Sequence, residues 1–464
     1  MSRLMIVGGS DAGISAALRA RELAPDWQVT VAVADAYPNF SICGIPYYLS
    51  REVHEVNDLA HRKAADIQRM GVELLLGHHI EMIDPSAKRV VALRPGGQVA
   101  EYTYDKLVVA TGASSVRPPI SGLDLSGVFL LRWIGETLAF EQFLDTRAPQ
   151  RVVIVGGGYI GLEMSEALTL RGIHVTIIEM APSVMTTIDP DLGLKVGTEL
   201  QRNGVRLLTG QPISSIASDG NRLRICGDHG LSEVADMILV AAGARPETEV
   251  AAAAGVTRGI RGALKVNRRM ETNLDDVFAA GDCVETWHRI TQSNSYLPLG
   301  TTAHKQGRIA GENAVGGNCL FEGSLGTQSV RLFDYVVART GFHDRDAVAA
   351  GFDPLSVDTT VWDHAVYYPG AKEMTIRVTG DRASGRLLGA QIIGHYKSEI
   401  SKRIDIFAAA AHHGMTVAQI NDLDLSYTPP LSSPWDPVQT AAQTWETLSR
   451  ARAKPHQNAV TPRI

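Results

Sequence analysis

At 464 residues, with 45% hydrophobic and 20% charged side chains, the chain has length for about three domains and enough apolar residues for a large core. A net charge of −6 argues against a general nucleic-acid or anionic-membrane partner. No apolar run reaches the roughly 18–20 residues that span a bilayer, so a soluble, cytoplasmic protein is expected.

The opening "MSRLMIVGGSDAGISAAL" is too glycine-broken for a signal peptide and reads as strand, turn and helix. Residues 4–7 are an apolar run suited to a buried parallel strand, and Gly8, Gly9 and Gly13 follow. "ISAALRARELA" has helical spacing and "QVTVAVAD" is a second strand. In such a βαβ unit the glycine turn seats a pyrophosphate on the helix N-terminus, although Ser10 stands where a second glycine is usual. Next comes "NFSICGIPYYLS", with Cys43 before Gly44 and Pro46. Proline favours a helix start, and a helix beginning there aims its N–H groups at the thiol, which predicts a lowered thiol pKa. "KLVVATGASSVRPP" is a strand ending in a small-residue turn at Thr111-Gly112.

A second, cleaner unit follows in "RVVIVGGGYIGLEMSEALTLRGIHVTIIEM", with Gly156, Gly158 and Gly161 after the strand at 152–155. Glu179 ends the next strand, where an acid accepts bonds from a ribose 2′-hydroxyl and repels a 2′-phosphate. NADH is therefore favoured, with NADPH left open. "MILVAAGARPE" ends in another small-residue turn at Gly243, and "TNLDDVFAAGDC" places Gly281-Asp282 at a strand end, in reach of a ribityl hydroxyl. Two dinucleotide folds in one chain point to a flavin and a nicotinamide working as a hydride relay. The cysteines Cys43, Cys226, Cys283 and Cys319 show no metal-ligand spacing and no disulfide framework, so no metal is expected.

Together these segments resemble the FAD/NAD(P)-dependent pyridine nucleotide–disulfide oxidoreductases. "CGIPYYLS" resembles their single-cysteine branch of coenzyme A-disulfide reductases, persulfide reductases, NADH oxidases and NADH peroxidases. "LPLGTTAHKQGRIAGENAVGG" resembles the helix beneath the flavin. "RLLGAQIIGHYKSEISKRIDIFAAAAHHGMT" and "DLDLSYTPPLSSPWDPVQTAA" resemble the branch's dimerisation domain. The implied fold class is α/β: two Rossmann-like dinucleotide-binding domains, for FAD and NAD(P), plus a C-terminal α+β dimerisation domain. The implied boundaries are 1–120 and 246–322 for FAD, 121–245 for NAD(P), 323–450 for dimerisation, and 451–464 for a loose tail. The implied function is an NAD(P)H-dependent flavoprotein reductase acting on a small disulfide or persulfide through Cys43, in a homodimer with shared active sites. A rhodanese domain, fused in some persulfide reductases, is not expected. An oxidase passing through a Cys43 sulfenate, or a flavoprotein redox sensor, are the alternatives.

By resemblance, Tyr427 and one of Tyr367 and Tyr368 reach the partner's active site. The resemblance adds Ala12, Ser41, Arg132, Tyr159, Ile160, Thr301 and Ala303 to the cofactor set, and Ser15, Asn39, Ile42 and Trp435 to the substrate surroundings. Four departures bear on the substrate and cofactor. Ile42 replaces a substrate-holding amide. Glu22 and Trp435 replace cations that an acidic nucleotide would want, with Arg19 and Arg21 able to compensate. The FAD ribose acid falls at Val33, and the nearest carboxylate is Asp35. Asp11 stands where the oxidases carry a histidine, either as a turn residue or as a proton-handling group facing Cys43.

Overall fold

A computed structural model describes residues 1–453 of the chain. The chain divides into two compact units, one of residues 1–182, 204–288 and 292–324, the other of 183–203, 289–291 and 325 onward.

The first unit holds two parallel five-stranded sheets. One runs in the order Val277–Ala279, Lys106–Val109, Arg3–Val7, Gln28–Val33, Val72–Leu76. The other runs Arg206–Leu208, His174–Ile178, Arg151–Val155, Met237–Val240, Val128–Phe129. Both central strands are apolar on both faces, as strands covered on each side must be. The helices Asp11–Leu23 and Tyr159–Leu170 follow these central strands directly, completing the two βαβ units. The two small-residue turns return the chain side by side, since Ala113–Ser115 pairs antiparallel with Ala244–Pro246. The helix Gly300–Ala314 approaches the backbone of Asp11–Leu23 closely at two glycines. A Cβ at Gly307 would fall 2.1 Å from the Ala12 carbonyl oxygen, and one at Gly311 2.2 Å from that of Ala16.

The second unit is α+β. Its antiparallel sheet runs Gln328–Leu332, Tyr335–Gly341, Leu387–His395, Glu373–Asp381, Pro354–Trp362. Helices Ile400–His412 and Pro437–Ala453 supply Ile404, Phe407, Ala441 and Trp445 to its core. Residues 183–203 join this unit through Arg377, whose guanidinium meets Asp189 at 3.0 Å, Asp191 at 2.5 Å and Asp358 at 2.6 Å. The last helix runs to Ala453, three residues into the expected tail, and the rest of that tail lies outside the described residues. Among the described residues no helix is long and apolar enough to cross a membrane.

Candidate functional site

The two glycine turns are built alike. Gly8 has φ +115° and a Cβ there would lie 2.0 Å from the Ala110 carbonyl oxygen, while a Cβ at Gly13 would lie 1.8 Å from that of Gly8. In the second turn Gly156 has φ +109° with Ala241 oxygen 2.4 Å from a Cβ, and Gly161 approaches the Gly156 carbonyl at 2.0 Å. Only glycine fits such contacts. Gly158, just before Tyr159 and Ile160 at the helix start, faces open space, which is room for a pyrophosphate.

Glu179 is held at its strand end. Its carboxylate accepts the Gly157 N–H at 2.6 Å and the Ala181 N–H at 2.7 Å. In the first βαβ unit Val33 fills the equivalent strand end and packs 2.5 Å from where a Gly9 Cβ would be. Asp35 accepts the Tyr37 N–H at 2.8 Å, and burial pushes its carboxyl up.

Asp282 follows Gly281 and pairs with Arg132 at 2.5 Å. The Gly281 N–H donates to the buried Gln306 Oε1 at 3.0 Å, a contact that the sequence reading missed. Thr111 donates its hydroxyl to the Glu247 carbonyl at 2.5 Å, next to Gly112, and Gly243 accepts the Val116 N–H. Ala12 and Ala303 flank Gly281, and Thr301 lies in the first turn of the helix Gly300–Ala314. Two buried polar atoms here lack protein partners, Arg132 Nε and Asn39 Oδ1. Asn39 sits at φ +57°, its N–H donating to the Gly9 carbonyl at 2.7 Å. Two glycine cradles, a paired acid and orphaned polar atoms fit two dinucleotides: FAD along Gly8–Gly13, Asp35 and Asp282, and NAD(P) along Gly156–Gly161 and Glu179.

Cys43 lies in a 3-10 turn, Ile42–Gly44, leading into the helix Ile45–Leu49, with Ser41 accepting the Gly44 N–H at 3.1 Å. The residue is open to solvent on one side. The expected lowering of its pKa is corrected: crowding by protein raises it most, then the charges of Glu163, Asp11 and Asp282, against a lowering by Arg132. A five-residue helix offers too little dipole to outweigh that burial and three carboxylates. Asp11 opens the first helix and is itself raised by burial, with His61 and His304 drawing it down. It therefore belongs to the charge neighbourhood of Cys43.

Glu163 and Tyr47 were also missed. Glu163, a carboxyl inside the apolar run "YIGLEM", is pushed up to about 7 by burial first and by Glu166 second, with a Tyr47 hydrogen bond pulling it down. Its sequence signal was a charge on a helix face that should be apolar. Tyr48, five residues after Cys43, donates its hydroxyl to Glu141.

Arg19 is taken up by Glu312 at 2.6 Å and Glu22 at 2.8 Å, and Arg21 donates to the Pro25 and Trp27 carbonyls. Ser15 meets His304 at 2.8 Å. In the second unit the neighbouring Tyr367 holds the Tyr427 hydroxyl above its ordinary value, while the Tyr368 ring stands edge-on to His364 at 5.8 Å. Trp435 is 72% exposed.

Residues 2–307 match the pyridine nucleotide-disulphide oxidoreductase family, and residues 327–438 match that family's dimerisation domain. An NAD(P)H sulfur oxidoreductase (CoA-dependent) of Pyrococcus furiosus is 33% identical, covering 95% of this chain and 98% of that protein. A coenzyme A disulfide reductase of Staphylococcus haemolyticus is 29% identical over 94% and 98%. Among solved structures, an NAD-dependent persulfide reductase from A. fulgidus superposes with a TM-score of 0.93 at 35% identity, covering 97% of this chain and 84% of that one.

Proposed function

The chain belongs to the pyridine nucleotide-disulphide oxidoreductase family, and on that premise we propose that it reduces a small disulfide, persulfide or related sulfur compound through Cys43 alone, using NAD(P)H and FAD. The observation that carries this reading is the redox loop itself. Cys43 is open to solvent, and the residue five positions on is Tyr48, locked to Glu141, so the thiol has no local cysteine to pair with.

FAD, when bound, takes a hydride from NAD(P)H and returns two electrons to sulfur. The chain's own residues do the rest. The Cys43 thiolate attacks one sulfur of the substrate S–S bond; that bond breaks as the mixed disulfide forms, and the other sulfur leaves as a thiolate. Burial, with the charges of Glu163, Asp11 and Asp282, holds the Cys43 thiol up and so moves the onset of attack to higher pH. A tyrosine hydroxyl, the partner's Tyr427, protonates or orients the leaving thiolate in an active site shared across a homodimer. Glu179 favours NADH, because a carboxylate at that strand end accepts bonds from a ribose 2′-hydroxyl and repels a 2′-phosphate. Coenzyme A disulfide is one candidate acceptor; Ile42, Trp435 and the engaged Arg19 each weaken the contacts it would use.

The test is an anaerobic NADH titration followed by visible spectra. Wild type is expected to develop a long-wavelength thiolate-to-flavin band, and Cys43→Ser to lack it. Identical spectra for the two proteins sink the single-cysteine reading. Oxygen uptake with NADH alone, as fast as turnover with any disulfide, would favour the oxidase instead.

A further inference from the structure

Tyr367 and Tyr427 lie on two irregular segments of the second unit, 363–372 and 422–436, and Tyr367 is 77% exposed. Exposed side chains on irregular backbone are held only as well as the segments beneath them. Here the support is polar and buried. Arg403, on the helix Ile400–His412, donates to the Ser398 carbonyl at 3.2 Å, the Asp363 carbonyl at 2.7 Å, the Leu431 carbonyl at 3.3 Å and the Asp436 carboxylate at 3.2 Å. One guanidinium thus reaches both tyrosine segments. Its two acidic neighbours continue the brace. Asp363 accepts the Ser398 hydroxyl at 2.6 Å and the Lys372 N–H at 2.9 Å, and lies 2.8 Å from His364 Nδ1. Asp436 accepts the Ser432 hydroxyl at 2.7 Å and the Val438 N–H at 2.8 Å. The Ala365 N–H then bonds directly across to the Ser432 carbonyl at 3.1 Å.

We propose that Arg403 is a positioning residue: it holds the two segments in register so that Tyr367 and Tyr427 are presented together to the sulfur chemistry. The proposal rests on the tyrosine role stated above. Arginine suits the task because its planar fork serves four acceptors at once, which a lysine ammonium cannot do.

The experiment follows the two half-reactions separately in Arg403→Met and Arg403→Lys holoenzymes, each with and without Tyr427→Phe. Reduction by NADH is expected at the wild-type rate. Reoxidation by the best disulfide or persulfide acceptor is expected to slow by roughly 10- to 100-fold in R403M and less in R403K, in kcat rather than KM. In the Tyr427→Phe background the same substitutions are expected to add less than about twofold. Equal losses in both backgrounds, slowed reduction by NADH, or no loss overturns the proposal. If Tyr427→Phe alone reoxidises at the wild-type rate, it is the tyrosine role that fails. The brace is then judged by the 19F resonance of fluorotyrosine at position 427, which R403K must shift; an unmoved resonance overturns it. R403K carries every arm if R403M does not fold.

Discussion

Glu163 ionises well above the ordinary glutamate range. Its carboxyl is pushed up to about 7 because it is buried beside Glu166, and the folded chain therefore favours the protonated form. The sign follows directly. The stability that this preference contributes is fully present below about pH 4.5, the ordinary glutamate value, and is lost as pH rises through about 7. Glu163→Gln is expected to flatten the fall in apoprotein Tm over that window and to raise stability at pH 8 by up to about 3 kcal/mol. Thermal melts from pH 4 to 8 test this, and a variant whose melts parallel wild type would refute it. The same burial places a negative charge near Cys43 above pH 7, so the thiol and the carboxyl oppose each other's ionisation.

The redox element is a helix of only five residues, Ile45–Leu49, too short to be stable by its own hydrogen bonds. It is held from outside. Tyr47 bonds Glu163 on the helix Tyr159–Leu170, Tyr48 bonds Glu141 on the helix Ile134–Arg147, and Arg171 reaches the Leu49 carbonyl at 3.4 Å. Tyr48 thus anchors the loop from the position five residues after Cys43. Tyr48→Phe keeps the ring packing and removes a charge-assisted bond, so a loss of about 1.5–3 kcal/mol is expected by denaturant unfolding. Alkylation of Cys43 is expected to quicken as the element loosens, and unchanged stability and alkylation together would show that packing alone holds it.

At the scale of the whole molecule, the match to the family's dimerisation domain and the exposed tyrosine segments bear on how active sites are completed. If the partner's Tyr427 serves each Cys43, then Cys43→Ser and Tyr427→Phe subunits must complement each other. In a randomly mixed dimer population one site of each heterodimer carries both defects and the other carries none. Mixing and reassociation are expected to restore roughly a quarter of the wild-type rate. Recovery no greater than the two variants measured apart would mean that each subunit works alone.

The two nucleotide cradles were legible from residue order, because the demand for glycine at Gly8, Gly13, Gly156 and Gly161 comes from contacts within one strand–turn–helix unit. Glu179 was legible for the same reason, lying one strand beyond its turn, and so was the solitary Cys43 with Tyr48 after it. The setting of those residues was not legible. Arg19 finds Glu312 across 293 positions, and Glu163 approaches Cys43 from a different βαβ unit. Sterics of the backbone are local and repeat with the chain. Burial and charge depend on which distant segments the packing brings together, and so the tertiary structure alone decided that the thiol of Cys43 is raised rather than lowered.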